Sequence, residues 1–240
     1  MKKLNTREDV YELLSASTAS AALGTAIETG LLWLLAEKPL DGAGVAQALN
    51  IPVKRCHYWL QYLQSLGILK ETPHGYAPSS QARIVILDSF SMDSWKHLAL
   101  DERERSAGVH DLALYISEPG SVWAAQGLAK PIDYVEKMRG SLDRAREFTR
   151  MLYEVHKNLA NELASRLDLA GVHRLMDLGG NSGVVSMALL RKSPGLTATV
   201  VDIENVCIAG HEIADENSFS DRITYYPAEF NQDAFPGGFD

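Results

Sequence analysis

The sequence is poor in cysteine, in long uncharged apolar runs and in net positive charge. Its two cysteines, Cys56 and Cys207, lie far apart and show no disulfide or metal-ligand spacing, which favours a thiol-reducing cytoplasm and predicts no bound metal. No signal peptide is visible, and the uncharged stretch Leu13–Ile27 is too short and too rich in small polar residues to cross a bilayer, so no membrane partner is expected. A net charge of −8 opposes binding to a phosphate backbone, and we expect no nucleic-acid partner.

What the chain does contain is the composition of a globular protein. Of its 240 residues 46% are hydrophobic and 22% are charged, and the length suits two modest domains. Near the N-terminus Thr6 is placed to cap a helix, and the sequence is helical from Val10 to Glu37 with a predicted junction near Gly30. The small residues between Ser15 and Ala26 permit close helix approach, which fits either ordinary core packing or a helical dimer interface.

Residues 39–80 have the pattern of a winged helix. A short helix at Gly44–Leu49 is followed by a second helix at about Val53–Ser65, and a small hairpin is predicted on either side of His74 and Gly75. The second helix has an apolar stripe that consists of Tyr58, Leu60, Leu63 and Leu66. A winged helix can bind DNA, but residues 1–80 hold seven Lys plus Arg against seven Asp plus Glu, and a DNA-binding domain should carry a basic face. We therefore favour a protein-packing role.

The middle of the chain is predicted to be helical. Helical segments are expected around Trp95–Arg105 and Ser121–Gln126, followed by one long amphipathic helix over Asp143–Leu167. The apolar positions of that helix recur at spacings of three and four and are Phe148, Leu152, Val155, Leu159 and Leu163. The composition changes near residue 168, where a second domain begins.

A β-α-β unit of the nucleotide-binding kind follows. The strand Arg174–Leu178 leads into the turn Gly179–Gly183, a helix begins at Val184, and a second strand, Thr197–Val201, ends in Asp202. Glycines let a backbone come close to a ligand, and amides at a helix N-terminus point into the site. An acid about 20 residues past such a turn can accept both ribose hydroxyls, and Asp202 lies nineteen residues after Gly183. The alternative is that the turn is merely a tight connection between strand and helix.

The spacing of the glycines narrows the choice of nucleotide. A dinucleotide turn needs glycines at positions i, i+2 and i+5, which here are Gly179, Asn181 and Val184, so that pattern fails. The acid Asp177 at the end of the first strand would repel a pyrophosphate but suits a ligand with an ammonium group. S-adenosylmethionine has a cationic amino-acid end and no phosphate, so the acid favours it as the cofactor.

With these segments in hand, the chain resembles the small-molecule O-methyltransferases of the plant caffeate and bacterial antibiotic-pathway type. That family has a winged-helix dimerisation domain followed by a Rossmann-like methyltransferase domain. The resemblance is most specific at Leu175–Gly183 and Val200–Val206. It implies that Ile203 follows Asp202 in the adenosine site, and that Glu229 and Phe230 lie near adenine. The cofactor-binding residues that we expect are Asp177, Gly179, Gly180, Asn181, Gly183, Asp202, Ile203, Glu229 and Phe230.

Some positions depart from the family pattern. Asn181 stands where the family usually has a glycine, which we expect to be neutral because Asn tolerates unusual backbone angles. Glu229 replaces the more usual Asp and reaches further. The family also places substrate-contacting residues on the long helix, where this chain has Phe148, Met151 and His156. Core packing is the alternative role for Phe148 and Met151.

The family mechanism is in-line methyl transfer to a hydroxyl that a histidine deprotonates. None of the histidines of this chain matches that motif position, so no catalytic residue is assigned, and we expect the base to lie beyond Asp240. The resemblance implies a sheet of seven strands with the first strand in its middle, whereas the sequence supplies strands one, two and, near Ile223–Tyr226, three. Either the 240 residues are a fragment of a longer protein or another chain completes the sheet, and we favour a fragment.

The fold class that we predict is an incomplete α/β Rossmann-like methyltransferase domain preceded by a mostly α winged-helix domain. The predicted division is a winged-helix dimerisation domain at 1–82, a helical linker region at 83–168 and the first half of a cofactor-binding domain at 169–240. The predicted function is S-adenosylmethionine-dependent O-methylation of a small, aromatic hydroxyl substrate by a cytoplasmic homodimer. The alternatives are a non-catalytic or truncated cofactor-binding protein and, less favoured, a winged-helix regulator.

Overall fold

The computed structural model describes residues 3–110, 112–117, 134–230 and 232–240. The chain forms two compact units, Met1–Leu112 and Ala113–Asp240, which divide the predicted linker region between them. The predicted helical segment Ser121–Gln126 lies outside the described residues. The three-part division into 1–82, 83–168 and 169–240 stays a prediction.

The first unit is mostly helical. Its described helices are α1 (Arg7–Leu14), α2 (Ala16–Glu28), α3 (Leu31–Glu37), α4 (Gly42–Ala48), α5 (Val53–Ser65), α6 (Ser80–Ala82) and α7 (Met92–His110), with a π-helical turn at Arg83–Leu87. Thr6 and Asp9 form a capping box at the start of α1. The predicted junction near Gly30 is confirmed, because Gly30 adopts a left-handed φ of 73° between α2 and α3. A second break at Ser15 separates α1 from α2.

The predicted winged helix is present. Strands β1 (Leu69–Thr72) and β2 (Gly75–Pro78) pair antiparallel, with Leu69 opposite Pro78. A Cβ on Gly75 would lie 2.3 Å from the backbone of Leu40, so only glycine allows this close approach.

The core of the first unit lies between α3, α5 and the hairpin. Leu32, Leu35, Leu60 and Leu63 are fully buried there. The predicted stripe on α5 was half wrong, since Tyr58 is 61% exposed and Leu66 is 39% exposed. The buried face contains Cys56 with Leu60 and Leu63, which follow it by four and seven residues and so lie on the same side of a helix.

A helix that spans a membrane must be long and apolar. Among the described residues no single helix is long and apolar enough to cross a bilayer. The two helices Ala16–Glu28 and Leu31–Glu37 are long and apolar enough only when taken together, and they are bent by 58° at their junction.

The second unit is an α/β fold. Its described elements are α9 (Tyr134–Gly140), α10 (Leu142–Arg166), β3 (Arg174–Leu178), α11 (Val184–Lys192), β4 (Thr197–Asp202), α12 (Glu204–Glu216) and β5 (Ile223–Pro227), while α8 (Leu112–Ser117) begins where the first unit ends. The strands form a parallel sheet in the order β3-β4-β5, which confirms the predicted strands one, two and three. Val200 and Val201 of the central strand are fully buried. This is the Rossmann-like half of the predicted fold class.

The long helix α10 covers this unit with a face that differs from the predicted one in its C-terminal half. Its buried residues include Ala145, Ala160 and Ala164, whereas Leu159 is 59% exposed and Leu163 is 39% exposed. Small side chains allow α10 to lie close to α11 and α12, and this packing decides the buried face. Two ion pairs, Arg146–Glu212 and Arg150–Glu216, also join α10 to α12.

Candidate cofactor-binding site

The turn that follows β3 has a left-handed backbone conformation that most residues rarely adopt. Gly179 and Gly183 have positive φ values of 67° and 70°, and Asn181 between them has a φ of 51°. Asn is among the non-glycine residues that most often adopt this conformation, so the departure at Asn181 preserves the backbone of the turn. Its side chain also helps, since its Oδ1 accepts a hydrogen bond from the amide of Ser182 at 2.8 Å.

Gly180 is required for a steric reason instead. A Cβ at this position would lie 2.6 Å from the Cγ of Asp177, which is closer than real Cβ contacts allow. Asp177 therefore lies directly behind the turn. Its Oδ2 accepts a hydrogen bond from the hydroxyl of Ser186 on α11 at 2.7 Å. Burial raises the pKa of the Asp177 carboxyl, and this hydrogen bond lowers it in part.

Asp202 lies at the corresponding end of the neighbouring strand. Its carboxylate accepts hydrogen bonds from the amide of Asn181 at 3.0 Å and from the amide of Ile203 at 2.8 Å. Burial raises the pKa of the Asp202 carboxyl, those two hydrogen bonds lower it, and the charge of Asp177 raises it again. The two acids thus lie at the carboxyl ends of adjacent parallel strands, which is the edge where open α/β sheets bind ligands.

A cavity of about 670 Å³ opens beside these residues within the second unit. Its lining residues are Val135, Glu136, Arg139, Phe148, Leu152, Gly179, Asn181, Asp202, Ile203, Ala228, Glu229, Phe230 and Gln232. The volume is that of an ordinary small-molecule site. Six of the nine predicted cofactor-binding residues line this cavity, whereas Asp177, Gly180 and Gly183 support it from behind.

Glu229 and Phe230 reach the cavity from the segment after β5. The ring of Phe230 lies over the turn, since a Cβ on Gly179 would be 3.5 Å from its Cζ. It also packs edge-on against Phe235, with the ring centroids 5.6 Å apart. Glu229 forms an ion pair with Arg139 of α9. The predicted adenine-side residues therefore face the same cavity as Asp202.

The structure treats the three predicted substrate residues differently. Phe148 lines the cavity. The side chain of Met151 is buried within the second unit and is absent from the described lining. The Nδ1 of His156 lies 3.0 Å from the carbonyl oxygen of Leu152, and His156 does not line the cavity either. No histidine is found among the described lining residues.

Two residues of the site were missed from the sequence. Arg139 lines the cavity and pairs with Glu229, although no local pattern marks it. Tyr225 in β5 donates its hydroxyl to the carbonyl oxygen of Ser182 at 2.8 Å and so supports the turn from below. The signal for Tyr225 was its position in the predicted strand Ile223–Tyr226, because the hydroxyl of a partly buried tyrosine needs a partner.

The parallel sheet, with a glycine turn and a cavity at its carboxyl edge, defines an α/β domain of the Rossmann-like kind. Residues 125–239 match the family model described as O-methyltransferase domain.

Individual relatives match over nearly the whole chain. It is 28% identical over 236 residues to 3-hydroxy-5-methyl-1-naphthoate 3-O-methyltransferase of Streptomyces sahachiroi, covering 95% of this chain and 65% of that protein. It is 26% identical over 256 residues to L-tyrosine C(3)-methyltransferase of Streptomyces lavendulae, covering 97% of this chain and 64% of that protein. The chain thus spans just under two thirds of the length of these relatives.

A solved structure described as PigF with SAH superposes with a TM-score of 0.83 and 16% identity, covering 98% of this chain and 70% of that one. This likeness shows that the fold is shared.

Proposed function

We propose that the chain is part of an S-adenosylmethionine-dependent O-methyltransferase that acts on a small aromatic hydroxyl compound. The observation that carries the proposal is the cavity at the carboxyl edge of β3 and β4, where Asp202 faces a glycine turn. The match of residues 125–239 to the O-methyltransferase domain family supports the reaction class. The naphthoate O-methyltransferase relative supports an aromatic acceptor.

The charges of the cavity suit this cofactor better than a dinucleotide. Its described lining contains three acids, Glu136, Asp202 and Glu229, against one base, Arg139. Such a lining repels a pyrophosphate and attracts the sulfonium and ammonium groups of S-adenosylmethionine. The turn fits as well, because Gly179 lines the cavity and leaves no side chain between the backbone and a ligand.

Each predicted cofactor residue has a role in the proposal. Asp202 accepts the ribose hydroxyls, because each of its oxygens accepts one backbone amide and keeps a further lone pair. Glu229 and Phe230, with Ile203, form the adenine side. Asp177 provides negative charge behind Gly180 for the amino-acid end, and Asn181 and Gly183 shape the turn.

When bound, the cofactor supplies an electrophilic methyl group on its sulfonium. The chain's residues hold this group and exclude water, so that catalysis depends on positioning. Phe148 offers an aromatic surface to the acceptor. Met151 and His156, which lie on the same helix α10, have only a structural role. No general base is assigned within this chain.

We propose a cytoplasmic homodimer formed through the N-terminal helices, with no nucleic-acid or membrane partner. The dimer is supported by large apolar side chains that are exposed on and before α1, namely Leu4 at 55%, Tyr11 at 63% and Leu14 at 74%. Leu14→Glu should shift the protein from dimer to monomer in light scattering, and an unchanged mass would contradict this interface.

Calorimetry with S-adenosylhomocysteine, the demethylated product of the cofactor, tests the site. The wild type should bind it and should not bind NADH. Asp202→Asn should weaken binding roughly ten-fold or more, since a hydrogen bond to a charged group contributes about 1.5–3 kcal/mol. Asp143→Asn, whose side chain is 89% exposed on α10, is the matched control and should bind normally. A folded wild type that binds no S-adenosylhomocysteine would refute the cofactor assignment.

Methyl transfer itself requires a second measurement. Isotope-labelled S-adenosylmethionine is incubated with hydroxynaphthoates and other phenols, and the products are analysed by mass spectrometry. Labelled methyl on oxygen supports the proposal. Label on a ring carbon would show that the acceptor atom is carbon and not oxygen. The name of the tyrosine-methylating relative describes such a carbon acceptor for that protein. Binding without any transfer by the full-length protein would favour the non-catalytic alternative.

A further inference from the structure

Two elements that line the cavity are joined by an ion pair. Arg139 comes from α9 and Glu229 from the segment after β5, and both line the cavity. On the basis of the proposed cofactor site, we propose that the Arg139–Glu229 ion pair is a latch that opens to let the cofactor in or out. Arg139 is thus a positioning residue that controls the rates of cofactor exchange.

The carboxylate of Glu229 is oriented by its neighbours. Its Oε1 pairs with Arg139, and its Oε2 accepts a hydrogen bond from the Nε2 of Gln232 at 2.8 Å. The amide of Glu229 donates to the Oδ2 of Asp233 at 2.8 Å. Both oxygens of the carboxylate therefore have partners within the described residues. A ligand group that approaches either oxygen must displace or share one of them.

The backbone on the other side of the latch is anchored. The Nδ2 of Asn205 on α12 donates to the carbonyl oxygens of Met138 at 2.9 Å and Arg139 at 3.1 Å. Met138 is 3% exposed and packs with Val206 in a small apolar cluster. The end of α9 is thus fixed to α12, while the Arg139 side chain is 55% exposed. The guanidinium can leave Glu229 by side-chain rotation alone, which makes it the moving part.

An ordinary surface ion pair would have no effect on the rates of cofactor exchange. The chain contains such a pair for comparison. Arg150 and Glu216 join α10 to α12 with side-chain exposures of 36% and 54%, and neither residue lines the cavity. Arg139 and Glu229 have similar exposures of 55% and 31%. Arg150 donates to both oxygens of Glu216, whereas Arg139 donates to one oxygen of Glu229. Arg150→Ala therefore removes at least as strong a contact away from the cavity and is the control for Arg139→Ala.

Stopped-flow measurement of S-adenosylhomocysteine binding tests the latch. Removing it should speed both association and dissociation, because the same barrier is crossed in both directions. Since an exposed ion pair is worth up to about 1 kcal/mol, Arg139→Ala should raise both rates roughly two- to five-fold. Arg139→Lys should restore most of the wild-type rates. Arg150→Ala should lower thermal stability at least as much as Arg139→Ala but leave both rates unchanged.

Salt provides a readout that a purely structural role would not change. An exposed pair is screened by ions, so wild-type dissociation should become faster between about 0.05 and 1 M salt, while Arg139→Ala should lose most of this dependence. Unchanged rates in Arg139→Ala would overturn the latch, and so would faster dissociation with slower association, which is the signature of a lost ligand contact. A wild type that binds no S-adenosylhomocysteine would instead refute the proposed function.

Discussion

Tyr225 donates its hydroxyl hydrogen to the carbonyl oxygen of Ser182 across 2.8 Å and thereby ties β5 to the glycine turn. The ring occupies space that two glycines leave open, since a Cβ on Gly210 would lie 2.4 Å from the ring and a Cβ on Gly183 would lie 2.8 Å from the hydroxyl. Burial raises the pKa of the Tyr225 phenol, so this group stays protonated and remains a donor at any ordinary pH.

Replacing this tyrosine should weaken the turn without disturbing the core. Tyr225→Phe keeps the ring but leaves the buried carbonyl of Ser182 without its donor, which costs about 1–3 kcal/mol of the free energy of unfolding. Urea denaturation measures the change. Tyr226→Phe, in which the neighbouring and 38% exposed side chain loses its hydroxyl, is the control and should change little. Equal losses in both variants would show that the bond to Ser182 contributes nothing.

Gly180 should tolerate no side chain, although its backbone conformation is open to any residue. Gly180→Ala places a methyl group 2.6 Å from the Cγ of Asp177 and must displace that carboxylate, at a cost of about 1–3 kcal/mol in overpacking. Gly195→Ala is the matched control because a Cβ there meets nothing within 4 Å. We expect Gly180→Ala to lower both stability and S-adenosylhomocysteine affinity. Wild-type behaviour of both alanine variants would contradict the close contact.

The sequence predicted well those parts of the site that are local along the chain. The turn Gly179–Gly183 and the strand-end acid Asp202 follow from residue type and spacing, because the geometry of a strand-turn-helix unit is set within about 30 residues. Arg139 and Glu229 are 90 residues apart, and their contact depends on how α9 packs against α12. No spacing rule relates two such positions.

The long helix shows a different limit of sequence patterns. Its extent was predicted almost to the residue, as Asp143–Leu167 against Leu142–Arg166 in the structure. Its predicted buried face was wrong in the C-terminal half, because the periodicity of the large apolar residues was followed there, whereas Ala160 and Ala164 provide the close contact. Helix packing depends on which side chains permit close approach, and hydrophobicity alone does not report that.

The Arg150–Glu216 pair should contribute to stability in a pH-dependent way. Hydrogen bonding from Arg150 lowers the pKa of Glu216 below its ordinary value of 4.5. An acid with a lowered pKa in the folded state stabilises the fold above its unfolded pKa and loses that effect as the pH falls through the lowered value. Wild type should therefore exceed Glu216→Gln by no more than about 1 kcal/mol near pH 7, and the difference should vanish in strong acid. A difference that persists there would assign the effect to packing.

Asp177 should show the opposite pH dependence, because burial raises its pKa above the ordinary value of 3.8. The folded state then binds its proton more tightly than the unfolded state does, so this group favours folding below about pH 4 and costs stability as the pH rises through the raised pKa. The same sign holds for Asp202. Asp177→Asn removes one of these titrations. Relative to wild type, the variant should therefore gain free energy of unfolding as the pH is raised from about 4 to 8, whatever constant offset the amide introduces.

Denaturant titrations of both proteins across this range measure the difference directly. A flat difference between Asp177→Asn and wild type would mean that the buried carboxyl does not titrate differently in the folded state. A rising difference together with weaker S-adenosylhomocysteine binding would show that the site keeps a charge that the fold alone disfavours. That combination is expected if Asp177 is there for the cationic end of a ligand, since a carboxyl with no ligand to serve would be better replaced by a neutral group.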